Sequence, residues 1–184
     1  MKYSGLSKII SGGQTGADQG GLVAAFKAGL LTGGTAPSGF YTSVGPNYLL
    51  SAFGLKDAGT LQTRTKMNIK DSDATVICTV DSQSAGSYLT RRLCRELAKP
   101  VLELDLQAAC AAYGDTGGVP GELVYALSMS LSAFVIEHQA CTLNVAGNRE
   151  RFPDGRVHHL TQSVIGHGLQ ILDLEGFLVR DADL

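Results

Sequence analysis

Ile9-Ile10-Ser11-Gly12-Gly13-Gln14-Thr15-Gly16-Ala17-Asp18 passes from a short apolar strand, Lys8 to Ser11, through a glycine turn into helical spacing. Glycines let a backbone turn sharply and approach a ligand closely. The first amides of the following helix lack intrahelical acceptors and sit at the positive end of its dipole. A phosphate meets both requirements. The stretch matches neither G-x-G-x-x-G nor G-x-x-x-x-G-K-[ST], and no lysine follows the glycines. Thr15 and Asp18 also have the spacing of a capping box, with Thr15 as N-cap and Asp18 at the third helical position. Two readings therefore stand side by side, a ligand-binding turn and a purely structural one.

Working outward, Leu22, Val23, Phe26 and Leu30 recur at helical spacing, with Gly29 and the Gly33-Gly34 pair marking the end. Thr35 to Tyr48 carries Pro37, Gly39, Gly45 and Pro46, which predicts an ordered surface loop of the kind that closes over sites. Leu61 to Ile69 reads as a helix and Ala74 to Val80 as a strand. A loop over Asp81–Gly86 leads to a helix from Ser87 to Ala98, and Val101 to Leu104 forms the next strand.

Gly114 to Gly121 is turn-rich. Leu123, Val124, Leu127, Leu131, Phe134 and Val135 then mark one helix face, Cys141 to Val145 a last strand, and Val157 to Leu172 a helix despite Gly166 and Gly168. Strands alternating with long helices predict an α/β, Rossmann-like, mostly parallel sheet with helices on both faces. In such sheets ligands bind where loops leave the carboxyl ends of strands. The loops 11–18, 81–87 and 146–156 should share one edge.

The 184 residues suit a single domain over 1–184, since no Pro- or Ser-rich linker divides them. Hydrophobic residues make up 44% and charged residues 17%, which excludes a disordered chain. A net charge of −2 with scattered Lys and Arg lacks the footprint of a nucleic-acid binder. No apolar run is long enough to cross a bilayer and the N-terminus lacks a secretory pattern, so a cytoplasmic protein is expected. Cys78, Cys94, Cys110 and Cys141 are widely separated and read as buried free thiols. The neighbours His158 and His159 diverge on any regular element and read as surface or packing residues. No metal site is expected: Asp71 and Asp73 fix a turn.

Five segments appear in an order that resembles the putative molybdenum carrier family, the circularly permuted YpsA-related branch of the SLOG superfamily. They are SGGQTGAD, GGTAPSG, RTKMN before DSDATVI, SAGSYLT, and LNVAGNRE, and the resemblance spans about residues 8–160. It implies a Rossmann-like fold of the lysine-decarboxylase-like or LOG type, commonly oligomeric, and glycine loops around a phosphorylated ligand, a nucleotide or a molybdopterin-type pterin. By motif match it implies binding residues Gly12, Gly13, Gln14, Thr15, Gly16 and Asp18, then Pro37 and Gly39, then Arg64, Thr65 and Asn68. Ser84, Gly86, Ser87, Thr90 and Asn144 complete the set. Where the family's second loop reads C-P-K-G-R, this chain has Ala36-Pro37-Ser38-Gly39-Phe40, without the thiol and both positive charges.

LOG-type phosphoribohydrolases place a glutamate after a glycine-rich turn. Here Arg91 falls near that place, and Glu96 is the first glutamate. No paired acids, Ser-His-Asp set or Cys-His set stands out, so no catalytic residue is assigned. Arg64 is suited to a phosphate because a guanidinium fork binds it bidentately, and Arg91, Arg92 and Arg95 could extend the field or form a solvated face. Ser87 is either an N-cap or a ligand contact, and Asn144 satisfies backbone groups or reads a base edge. The expected function is a non-catalytic carrier, sensor or sequestering protein for a small phosphorylated nucleotide- or pterin-related ligand, working as a dimer or tetramer. Its alternatives are a nucleotide-processing hydrolase and a sponge or sensor for nucleotide immune signals.

Overall fold

The computed structural model describes residues 5–116 and 118–183. Among the described residues, eight strands and six α-helices follow one another along the chain. β1 (Lys8–Ser11), α1 (Ala17–Lys27) and β2 (Leu31–Ala36) come first, then a hairpin of β3 (Tyr41–Thr42) and β4 (Gly45–Pro46), and β5 (Leu55–Asp57). α2 (Leu61–Lys70), β6 (Ala74–Thr79), α3 (Ala85–Glu96), β7 (Val101–Asp105) and α4 (Gln107–Thr116) continue it. α5 (Gly121–Glu137), β8 (Thr142–Gly147) and α6 (Arg156–Leu174) close it.

The main sheet has the order β5-β2-β1-β8-β6-β7, and every pairing in it is parallel. β8 thus threads between β1 and β6, so the last strand in sequence lies in the middle of the sheet. α1, α4, α5 and α6 pack together on one face and α2 and α3 on the other. Strand side chains alternate between them. Val76, Cys78, Leu143 and Val145 join the large core under α1, α5 and α6. Asn144 and Thr75 point the other way, where the Asn144 Nδ2 donates to Thr75 Oγ1 at 3.2 Å. Burial of both faces explains why the central strand Ala74–Thr79 is buried throughout and not alternating in polarity.

Several sequence expectations are corrected. Gly33 and Gly34 do not end α1; they lie inside β2, within a stretch expected to be helix terminator and loop. Their reason is close approach: a Cβ on Gly34, whose φ is +121°, would lie 2.1 Å from the Ser11 carbonyl oxygen. Gly114 to Thr116 belong to α4, not to a turn, while Gly117, in the same expected turn, lies outside the described residues. Phe26 is 68% and Leu123 40% exposed, so neither is core.

Three of the cysteines are buried, and Cys141 is half-buried. Burial pushes the Cys78 thiol up to about 12, which makes it inert near neutral pH. His159 Nδ1 lies 2.9 Å from the Tyr113 hydroxyl, and Asp73 accepts the Cys141 and Thr142 amides, fixing the entry to β8. No helix among the described residues is long and apolar enough to cross a membrane.

Candidate functional site

Because β1, β6 and β8 are parallel neighbours, the three loops leaving their carboxyl ends meet on one edge. Asn148 joins them. Its Oδ1 accepts from Thr79 Oγ1 and from the Val80 and Asp81 amides at 2.7–2.8 Å. Its Nδ2 donates to Ser84 Oγ at 2.9 Å, and its carbonyl accepts the Ala17 amide. Sequence reasoning missed this residue, since an Asn after a strand carries no signal of partners spread over three loops.

The glycine turn differs from a phosphate cradle. Gly16, not Thr15, is the N-cap of α1 and makes no side-chain cap, so the expected capping box is absent. Thr15 Oγ1 instead meets Ser43 Oγ at 2.6 Å. The Asp18 carboxylate folds back onto the Gln14 amide at 3.1 Å, and the Ala17 amide is taken by Asn148. These internal acceptors occupy amides that an anion would use. Gln14 clamps the hairpin, donating to the Tyr41 carbonyl and accepting the Ser43 amide.

The open space lies one step away, between β1, β8, α2 and α3. Gly12, Asp18, Arg64, Thr65, Asn68, Gly86, Thr90 and Asn144 line this cleft, together with Ala146 and Gly147, and it encloses about 50 Å³. Gly13, Gln14, Thr15, Gly16, Pro37, Gly39, Ser84 and Ser87 do not line it. Pro37 starts a short 3-10 turn, and the Gly39 amide is held by Asp57 on β5. Ser84, not Ser87, caps α3, and its Oγ accepts the Ser87 amide at 3.3 Å.

Arg64 dominates the cleft. Its Nη1 donates to Asp18 Oδ2 at 2.9 Å, with side-chain exposures of 15% for Arg64 and 3% for Asp18. Gly12 has no side chain because the guanidinium lies across it: a Cβ there would stand 1.3 Å from Nη1. The Arg64 Nε is buried and has no acceptor among the described residues. Since a buried donor without a partner is costly, this atom marks where an acceptor belongs. Burial pushes the Asp18 carboxyl upward, while the Arg64 charge beside it and the Gln14 amide oppose that shift.

The other lining groups are largely committed. Asn68 accepts the Thr35 amide at 2.7 Å and donates to the Thr35 carbonyl at 3.1 Å, acting as a substitute strand partner for β2. Thr65 and Thr90 donate their hydroxyl protons to the Leu61 and Gly86 carbonyls, which leaves them as acceptors. Gly86, in the first turn of α3, has nothing within 4 Å of a Cβ position and leaves that wall open. Arg91 does not extend a positive field: Glu103 and the Ser82 carbonyl hold it, and Arg92 pairs with Glu96. A larger groove of about 390 Å³ between α1 and α6 contains none of the sequence-predicted residues. No group of three or more His, Cys, Asp or Glu able to hold a metal occurs among the described residues.

The sheet and the cleft at its carboxyl edge define a Rossmann-like α/β protein whose C-terminal strand is moved to the centre. Residues 9–167 match the circularly permuted YpsA SLOG family, and the chain belongs to that family. It is similar to a solved structure from Syntrophus aciditrophicus SB named "Putative molybdenum carrier protein". The TM-score is 0.75 and the identity 28%, covering 90% of this chain and 96% of that one. No curated protein matches.

Proposed function

We propose that the protein is a non-catalytic carrier, sensor or sequestering protein whose ligand is a small phosphorylated molecule related to a nucleotide or a pterin. The observation that carries this reading is the unpaired, buried Nε of Arg64 in a cleft at the carboxyl edge of the sheet. Charge-assisted bonds from a guanidinium to an oxyanion are among the strongest available. At about 50 Å³ the cleft takes the anionic end of the ligand, and the remainder lies outside it.

Binding without turnover is favoured because Asp18 is engaged by two donors, and neither Asp18 nor Arg64 is free to shuttle a proton. A molybdenum-bearing pterin would be held through its phosphate, since no thiol lines the cleft. The expected homo-oligomer has support in the outer face of α5, where Tyr125 and Met129 stand 57% and 46% exposed on a helix uncharged from Leu123 to Ile136.

The test is calorimetric titration with nucleotides, cyclic nucleotides, ADP-ribose derivatives and molybdopterin, on the wild type and on Arg64→Lys. Lysine keeps the charge and loses the planar edge, so affinity for the ligand that binds falls about tenfold. Absence of binding across the panel, or equal affinity in the variant, defeats the reading; release of free base from a nucleotide would establish the hydrolase instead.

A further inference from the structure

We infer that the cleft selects a singly charged oxyanion group, such as a phosphodiester, over a doubly charged phosphomonoester or a polyphosphate. This rests on the reading that the cleft holds the anionic end of the ligand, and it concerns the charge that end carries. Among the described residues lining the cleft, Asp18 and Arg64 are the charged ones, and they lie 2.9 Å apart. The site is therefore neutral before a ligand arrives.

Asp18 uses only Nη1 of the fork, so the edge formed by Nε and Nη2 faces no acceptor among the described residues. That edge fits two oxygens of one anion. The first turn of α3, with the open position at Gly86, adds a partial positive charge of about one half. One negative charge is met by these groups. A second would face the Asp18 carboxylate, which is 3% exposed and cannot turn to water.

Arg91 on α3 and Arg151 after β8 are already engaged, by Glu103 and by Asp81. A phosphodiester also offers two unesterified oxygens, the number the free edge can take.

The probes are dimethyl phosphate and monomethyl phosphate, which differ in charge at about pH 8, well above the second phosphate pKa near 6. Titration of the full chain is followed by NMR at the Gly12 and Gly86 amides. The expected result is tighter binding of the diester by about tenfold, with the preference reduced to parity in Asp18→Asn through stronger binding of the monoester. Thr65→Lys supplies the same added charge from a half-exposed position on α2 if Asp18→Asn fails to fold, and it should shift the preference in the same direction. A wild type that binds the monoester as tightly as the diester, or a folded variant with added charge that leaves the preference unchanged, overturns the inference while leaving the site reading intact. Neither ester shifting these amides removes the site reading and the inference with it.

Discussion

Gly34→Ala is expected to destabilise the fold by about 3 kcal/mol, from the positive φ and from overpacking, lowering the melting temperature by roughly 10 °C. The new methyl would lie 2.1 Å from the Ser11 carbonyl oxygen and 2.7 Å from the Ser11 nitrogen, at a φ of +121°. Neither obstacle can move cheaply. Ser11 is paired with Val145 across the β1–β8 ladder, and its Oγ donates to the Val145 carbonyl at 2.7 Å. β2 must therefore retreat from β1 at the point where the turn begins. Urea unfolding measures the loss. Gly166→Ala is the control: it lies in α6 with nothing within 4 Å of its Cβ position, so alanine should raise stability by up to about 1 kcal/mol through helix propensity. A Gly34→Ala protein as stable as the wild type would mean that β2 and β1 are not held at this separation.

Gly12→Ala is expected to lower ligand affinity about a hundredfold, the loss of one or two charge-assisted hydrogen bonds. Its Cβ would occupy the Arg64 Nη1 position, 1.3 Å from that atom, and lie 2.9 Å from Asp18 Oδ2. The obstacle here is the far end of a flexible side chain, so the fold survives while the guanidinium swings away. Asp18 then keeps the Gln14 amide but loses its cation, at a cost of about 2 kcal/mol in stability for the buried carboxylate. Calorimetry well below the melting temperature separates the two effects. Affinity equal to the wild type would show that the position of Arg64 across Gly12 is irrelevant to binding.

The two glycines also show how far the sequence could be read. SGGQTGAD correctly gave a strand, a glycine turn and a helix, but for part of the wrong reason. Gly12 is required by a guanidinium arriving from α2, and the amides after it serve Asp18 and Asn148. β2 was missed because Gly33 and Gly34 are weak strand formers, tolerated only because β1 passes so close. α4 was missed because its small residues give little amphipathic signal beside the glycines that follow. Half of the expected site residues line the cleft, and Ala146 and Gly147 complete it. Gln14 and Asn68 could not be told from ligand contacts in advance, because a side-chain amide clamping a distant backbone leaves no local pattern.

Local chemistry in the chain by itself settled the alternation of buried strands with helices, and hence a layered α/β architecture, because periodicity and glycine punctuation act over a few residues at a time. The strand order β5-β2-β1-β8-β6-β7 and the joining of three loops by Asn148 came only with the folded whole. So did the contact between Asp18 and Arg64, 46 residues apart. Each depends on which surfaces bury one another, and desolvation and charge pairing across that distance are set by packing, which no short window of residues contains.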